Sequence, residues 1–518
     1  METREAGEST TIHQVLAMSL KSFLAKPFAR WSVARNKKYI DRPVESQEAV
    51  FQRLISKARD TAFGRDHDFK SIRTYSDFVN RVPARDYEAL KPYVERIMSG
   101  EKNVLWPGSP AYLAKTSGTT SGAKYIPITA ESMKEQVTSS KLALLQYIVN
   151  KGSADYVNGK MIFLQGSPVL DTTGAVKMGR LSGISAHYLP RYLLKNRLPS
   201  WETNIIEDWE TKVEAIVDET IDQNMTLIAG IPSWVQMYFE RLVARSGKKV
   251  GELFPSFSLY VYGGVNYEPY RQKFEDLLGR RIDSVELFPA SEGFFAYQDT
   301  IENNGLLLQV HSGIFYEFIE ASKFYDDNPP RISLAGVELG VDYALILSTN
   351  AGLWGYNIGD TVRFVSLKPY RVIVSGRIKH FISAFGEHVI AKEVEEAITT
   401  ALAAHLEVRI SEFTVAPEVN PKDGGLPYHE WFIEFEKEPD NSDAFAQALD
   451  QSIQDQNVYY KDLIEGKVLR SAVVSPLEKG AFESYMKSQG KLGGQNKVKR
   501  LSNGRDVAEQ LTPYLVTS

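Results

Sequence analysis

The chain has 518 residues, 60 basic and 65 acidic side chains and a formal net charge of -5. Hydrophobic residues make up 43% and charged residues 24%, a balance that supports a sizeable core and excludes global disorder. The slight acidity argues against a nucleic-acid partner, and the absence of cysteine excludes disulfides, thiolate metal sites, iron–sulfur clusters and thiol nucleophiles.

Met1 to Leu20 starts acidic and polar and lacks the basic start and apolar core of a secretory signal. No apolar run approaches the ~20 residues that a membrane-spanning helix needs. Met18 to Lys37 mixes apolar residues with Lys21, Lys26, Arg30, Arg35 and Lys37 and reads as a surface helix, with membrane association as the alternative. From about residue 160, short strands alternate with helices. Met161–Leu164, Thr226–Ala229, Leu259–Tyr262 and Ser284–Phe288 read as strands. Ser233 is positioned to cap a helix whose Trp234, Met237 and Tyr238 share one face. A helix over Pro269–Leu278 should stop at Gly279. This alternation predicts an α/β fold with mostly parallel sheets.

Leu306–Val310, Phe315–Ile319, Tyr343–Ser348, Val362–Val365 and Val372–Val374 are strand-like without helices between them, which predicts an antiparallel sheet or small β-barrel-like part. Beyond Gly376 a helix over Lys392–Leu402 precedes strands at Glu412–Val415 and Glu430–Glu436. A helix near Ala444–Gln454 and a strand over Arg470–Val474 follow. The expected organisation is a large N-terminal domain, residues 1–375, and a smaller α+β domain, residues 376–518, with the boundary at Ser375-Gly376.

The stretch Lys115-Thr116-Ser117-Gly118-Thr119-Thr120-Ser121-Gly122-Ala123-Lys124 carries the most chemistry. Seven of these ten residues are Ser, Thr or Gly. Their N–H groups and hydroxyls all donate, so the loop can wrap an anion, and Lys124 adds the charge that phosphate oxygens require. The spacing is neither Walker A nor a dinucleotide fingerprint. Composition alone leaves a phosphate loop and a passive surface loop both open. The eight histidines show no metal-ligand spacing, and each reads as structural.

The order of residues in Thr116–Lys124 resembles the phosphate loop of the adenylate-forming superfamily, which includes acyl-CoA synthetases. Three further stretches in chain order are similar to that superfamily's motifs: Phe288-Pro289-Ala290-Ser291-Glu292-Gly293, Tyr356-Asn357-Ile358-Gly359-Asp360, and Ser375-Gly376-Arg377-Ile378-Lys379 at the domain boundary. Tyr93 to Glu101, Asn103 to Gly108, Tyr125 to Thr129 and Gly493 to Arg500 narrow the resemblance. They look like the auxin-responsive acyl-acid amido synthetase family of plants, in particular its bacterial branch, across about residues 45–515. Gln495, Lys497 and Arg500 match the family's last motif, whereas Lys499 stands where proline is usual.

The resemblance implies an adenylate-forming fold whose small C-terminal domain is mobile and closes over the site. It implies that Thr116, Ser117, Gly118, Thr119, Thr120, Ser121 and Lys124 hold the ATP phosphates. Ala290, Ser291 and Gly293 would border the adenine and Glu292 would hold Mg²⁺. Asp360 would bind the ribose, Arg377 the ribose or phosphate, and Lys497 the α-phosphate. Leu181 to Leu198, with His187, Arg191 and Arg197, would wall the acyl pocket and offer cations to a carboxylate. The implied activity adenylates an acyl acid and passes the acyl group to an amino acid, in a cytoplasmic monomer that needs neither nucleic acid nor membrane. An acyl-CoA ligase is the alternative.

Overall fold

The computed structural model describes residues 22–516 apart from 117–123, 189–194, 207, 265–266, 303, 325, 327, 379–380, 383–384, 386, 388, 420, 424, 466, 491–497 and 503. The chain divides into two compact units. One holds residues 1–358 and 363–373, the other 359–362 and 374–518.

The strands in chain order are β1 (Tyr112–Thr116), β2 (Lys124–Ile128), β3 (Lys160–Phe163), β4 (Lys177–Gly179), β5 (Arg197–Leu198), β6 (Met225–Ala229), β7 (Leu259–Gly263), β8 (Asp283–Ala290), β9 (Gly293–Gln298) and β10 (Leu306–Leu308). They continue as β11 (Ile314–Glu320), β12 (Arg331–Ser333), β13 (Asp342–Thr349), β14 (Tyr356–Leu367), β15 (Tyr370–Arg377), β16 (Phe381–Ile382), β17 (Val389–Ile390), β18 (Arg409–Glu418), β19 (Tyr428–Lys437) and β20 (Val473–Leu477).

In the first unit β5, β3, β6, β7 and β8 pair in parallel. Alternate residues of these strands enter two different cores, because successive side chains of a strand point to opposite faces. Ile162, Ile228 and Tyr260 join Val213, Ile216, Tyr238, Phe239 and Phe274 from helices Trp209–Thr220, Pro232–Ser246 and Glu268–Leu278. Met161, Leu227, Leu259 and Val261 join Tyr147 and Ile148 from helix Ala130–Lys151. Both faces are covered, as a parallel sheet requires. Helix Glu268–Leu278 stops at Gly279, which is left-handed at φ 75°. Helix Pro232–Ser246 differs from expectation: Ile231 is its N-cap and Pro232 opens it, so Ser233 lies inside the first turn. Proline at that position loses no helical hydrogen bond.

Of the antiparallel sheet and the small barrel expected for residues 305–375, the antiparallel arrangement holds, and these strands extend the parallel sheet. The two-residue turn at Ser291-Glu292 sends β9 back antiparallel against β8, and β10 then pairs with both β9 and β15. Among the described residues the result is one twelve-stranded ladder with different end strands, β12 and β5. A barrel would need those ends to pair. β1 and β2 form a separate hairpin, with β4 added in parallel to β1. Residues 22–40 are helical, with Ala29 in the core and Phe23, Leu24, Phe28 and Trp31 exposed.

The second unit packs helices Ala391–Ala404 and Ser442–Gln456 on the sheet β18-β19-β20. Its buried acidic groups are paired: His429 meets Glu387 at 2.8 Å, and Asp450 accepts from the Tyr460 hydroxyl at 2.6 Å and the Ala472 N–H at 2.9 Å. Within the same unit Ile378 N–H donates to the Gly359 carbonyl at 2.7 Å. Gly376 takes φ 146°, a conformation that side chains other than glycine's rarely adopt.

Candidate active site

Thr116 ends β1, Lys124 opens β2, and the two residues are ladder partners. Ser117, Gly118, Thr119, Thr120 and Ser121 lie outside the described residues, but both ends of their loop are held by this pair. The exit is anchored by a residue far upstream. The Tyr125 N–H donates to the Tyr87 hydroxyl at 2.9 Å, and the Lys124 ammonium stands 6.0 Å from the centre of the Tyr87 ring. Burial pushes the Tyr87 phenol up from its ordinary value, while the bond from Tyr125 acts the other way.

Tyr87 is placed by backbone pairing. Arg85 donates its N–H to the Gly355 carbonyl and accepts from Asn357 N–H, both at 2.8 Å. This stitches the segment before helix Tyr87–Met98 to the start of β14, where Tyr356 lies. Asp86 caps that helix by accepting the Ala89 N–H at 3.4 Å. Tyr356 is fully buried. Burial first, then the negative charge of Glu292, hold its phenol well above the ordinary value, with Tyr87 and Asp86 adding to the effect.

Glu292 stands at the apex of the β8–β9 turn, between the ladder partners Ala290 and Gly293. A β-carbon at position 293 would come 2.5 Å from Ile314 Cδ1, so a larger residue here would require that side chain to shift. Ser291 and Glu292 are half-buried. Phe288 is buried and packs edge-on against Phe295 at 5.0 Å, which makes it a core residue. A cleft beside the turn is lined by Ser132, Glu135, Gln136, Glu292, Ser312 and Asn350, among others. Burial raises the Glu135 carboxyl above its ordinary value. Two carboxylates and several neutral oxygens in one cleft are the donor set that a hard divalent cation accepts.

Glu292, Tyr356, Tyr87 and Lys124 are thereby linked within one unit, although they come from separate parts of the chain. Asp360 lies four residues beyond Tyr356 on β14, within the stretch assigned to the second unit. Arg377 ends β15, and its side chain lies outside the described residues, as does Lys497. Arg500 pairs with Glu412 and stacks over Phe413 at 4.3 Å, which ties this motif residue to its own unit. The Lys499 carbonyl accepts from Thr414 Oγ1 at 2.6 Å. No group of three or more metal-ligating side chains occurs among the described residues. His311 stacks on Tyr39 at 4.0 Å. Sequence reasoning missed Asp86, Tyr87 and Glu135, since none stands in a motif; the helix cap at Asp86 was the one available signal.

The fold has clear counterparts. It is similar to GH3.15 acyl acid amido synthetase in complex with 2,4-DB, with a TM-score of 0.77 at 16% identity over 94% of this chain and 96% of that one. It is also similar to 2-hydroxyisobutyryl-CoA ligase in its postadenylation state, with a TM-score of 0.57 at 12% identity over 91% and 93%. The chain therefore has the fold of the adenylate-forming enzymes. Models of the GH3 family's N-terminal, central and C-terminal domains match residues 33–200, 307–377 and 392–506. The chain belongs to the GH3 family. Indole-3-acetic acid-amido synthetase GH3.3 of Arabidopsis thaliana is 21% identical over 91% of both chains.

Proposed function

We propose that this chain is an ATP- and Mg²⁺-dependent ligase that adenylates a carboxylic acid and joins the acyl group to an amino acid. The observation that carries this reading is the convergence of Glu292, Tyr356, Tyr87 and Lys124 beside the two ends of the Thr116–Lys124 loop. GH3 membership and the curated amido synthetase relative support the amide-forming half.

A carboxylate is a poor electrophile, and AMP converts it to a reactive mixed anhydride. One carboxylate oxygen attacks the α-phosphorus, and the bond to pyrophosphate breaks. The amine then attacks the acyl carbon, AMP leaves with the bonding electrons, and the ammonium proton is lost. The protein aligns the groups and answers the charge that builds on them. Ser117, Thr119, Thr120 and Lys124 hold phosphate oxygens, assisted by Thr116, Gly118 and Ser121. Ala290, Ser291 and Gly293 border the adenine. Asp360 takes the ribose hydroxyls, and Arg377 the ribose or phosphate. Glu292 would hold Mg²⁺, which would supply charge neutralisation to the phosphates. Lys497 reaches the α-phosphate when residues 376–518 close as a small domain over residues 1–375.

No described helix is long and apolar enough to cross a membrane, in keeping with a cytoplasmic enzyme. Acid-dependent pyrophosphate exchange tests the first half-reaction. Mass spectrometry of products formed with amino acids or CoA tests the second. A thioester as the sole product would overturn the amide reading in favour of an acyl-CoA ligase.

A further inference from the structure

The C-terminal ends of parallel strands are where α/β sheets bind ligands. Glu292 follows the end of β8, and Gln165 and Gly166 follow the end of β3 on the same edge, three strands away. At ~4.8 Å per strand that is about 14 Å. A cationic cluster of buried Lys212, half-buried Arg197 and exposed Arg180 lies beside Gln165. Lys212, 2% exposed, donates to the Gln165 carbonyl at 3.0 Å and the Asn204 carbonyl at 2.7 Å. Arg197, on β5, stands 5.5 Å over the Phe163 ring. A β-carbon on Gly166 would meet Arg180 Cδ at 3.2 Å and Ser182 Oγ at 3.5 Å, which puts these two groups over the same turn.

The cluster is incomplete in a consistent way. Arg197 Nε and Nη2, Gln165 Nε2, Ser182 Oγ and Asn204 Oδ1 are all buried without a hydrogen-bond partner. Asn204 is itself 3% exposed. Burial holds Arg197 down to about 10, and burial with the charges of Arg180 and Arg197 holds Lys212 down to about 8. No ion pair joins any of the three cations to an acidic side chain among the described residues. Glu219 instead accepts the Ser200 N–H at 2.7 Å. Buried polar atoms are almost always partnered, and buried charge without a counter-charge is costly. The unused donors of Arg197, Gln165 and Ser182, beside buried Lys212, describe a place for an anion that the protein itself does not provide; the Asn204 oxygen is an acceptor and takes no part in it.

We infer that Arg197, Lys212, Arg180, Gln165 and Ser182 form a carboxylate-binding subsite, distinct from the point where the substrate carboxylate is activated. The planar Arg197 fork suits two carboxylate oxygens. This inference rests on the ligase reading above. The carboxylate belongs either to the acceptor amino acid or to the far end of a dicarboxylic acyl acid.

Arg197→Met removes the unpartnered donors at similar volume and is the test. Pyrophosphate exchange is measured with α,ω-diacids and their monomethyl esters, and product formation with amino acids and their amides. The expected result is at least a tenfold preference in kcat/KM for the free carboxylate in one of the two pairs. That preference should fall below about threefold in the variant, through loss of kcat/KM for the free carboxylate. Loss in the first pair assigns the subsite to the acyl acid, and loss in the second to the amino acid. The melting temperature of the unliganded variant should rise, because an uncompensated buried charge has gone. A lower melting temperature with discrimination intact would make Arg197 a structural residue and overturn the inference, as would a parent protein with no preference in either pair. Calorimetric titration with glutarate and with L-alanine reads the subsite without turnover. Heat lost in Arg197→Met sustains the subsite even if no acid supports exchange, an outcome that would sink the ligase reading alone. Absence of binding of both probes to the parent overturns the subsite.

Discussion

The Glu292 carboxylate, at the tip of the β8–β9 turn, acts directly on the buried phenol of Tyr356 at the start of β14. The two residues are 64 positions apart and belong to different motifs. Their coupling brings the turn and the strand together within one unit. Burial and this neighbouring carboxylate together keep the Tyr356 phenol protonated.

Glu292→Gln keeps the shape of the turn and removes its charge. Pyrophosphate exchange should fall by roughly 10²–10³, the loss expected when a charge-stabilising group of ~3–4 kcal/mol is removed. Tyr356→Phe should lose much less, because its hydroxyl supports the carboxylate rather than the substrate. Equal losses in the two variants would place Glu292 in a structural role.

Tyr87 joins the loop exit to Tyr356. Tyr87→Phe deletes the acceptor of the Tyr125 N–H, a bond of about 1 kcal/mol. The KM for ATP should rise several-fold while the KM for the acyl acid stays within twofold. An unchanged KM for ATP would show that the loop keeps its position without this anchor.

Lys497 lies 121 positions beyond Gly376. In the proposed role at the α-phosphate, it would matter while charge migrates during adenylation. Lys497→Ala should nearly abolish pyrophosphate exchange yet still convert supplied acyl-adenylate and amine to product. Lys499→Ala should lose little in either assay. Equal and small effects of the two would make the segment a solvated basic face.

His311 is lowered to about 4 by burial first, then by the charges of Lys38 and Arg53. The folded state therefore holds it neutral, whereas the unfolded chain protonates it near pH 6.5. Stability from this difference is complete above pH 6.5 and is lost as pH falls towards 4, by about 3 kcal/mol in total. His311→Phe retains the stack on Tyr39 and removes the titration. Thermal melts between pH 7 and 4 should fall less steeply for the variant, and identical slopes would exclude His311 as the source.

Strands β3, β6, β7 and β8 were legible in the sequence because each is a short apolar run closed by turn residues. Gly279 marked its helix end because no other residue takes φ 75° as cheaply. The loop, the β8–β9 turn and the Tyr356–Asp360 stretch were legible for a similar reason, since each packs its chemistry into a few adjacent residues. Tyr87 was not, because its position beside Lys124 depends on Arg85 pairing with Gly355 and Asn357 about 270 residues later. The open sheet in place of a barrel was also undecided locally, as which strand lies beside β10 is a matter of long-range pairing. The cluster of Arg197 and Lys212 shows the same limit most sharply. Cations in sequence say nothing of burial, and only the packing of β3, β5 and helix Trp209–Thr220 buries Lys212 and leaves Arg197 donors unmatched.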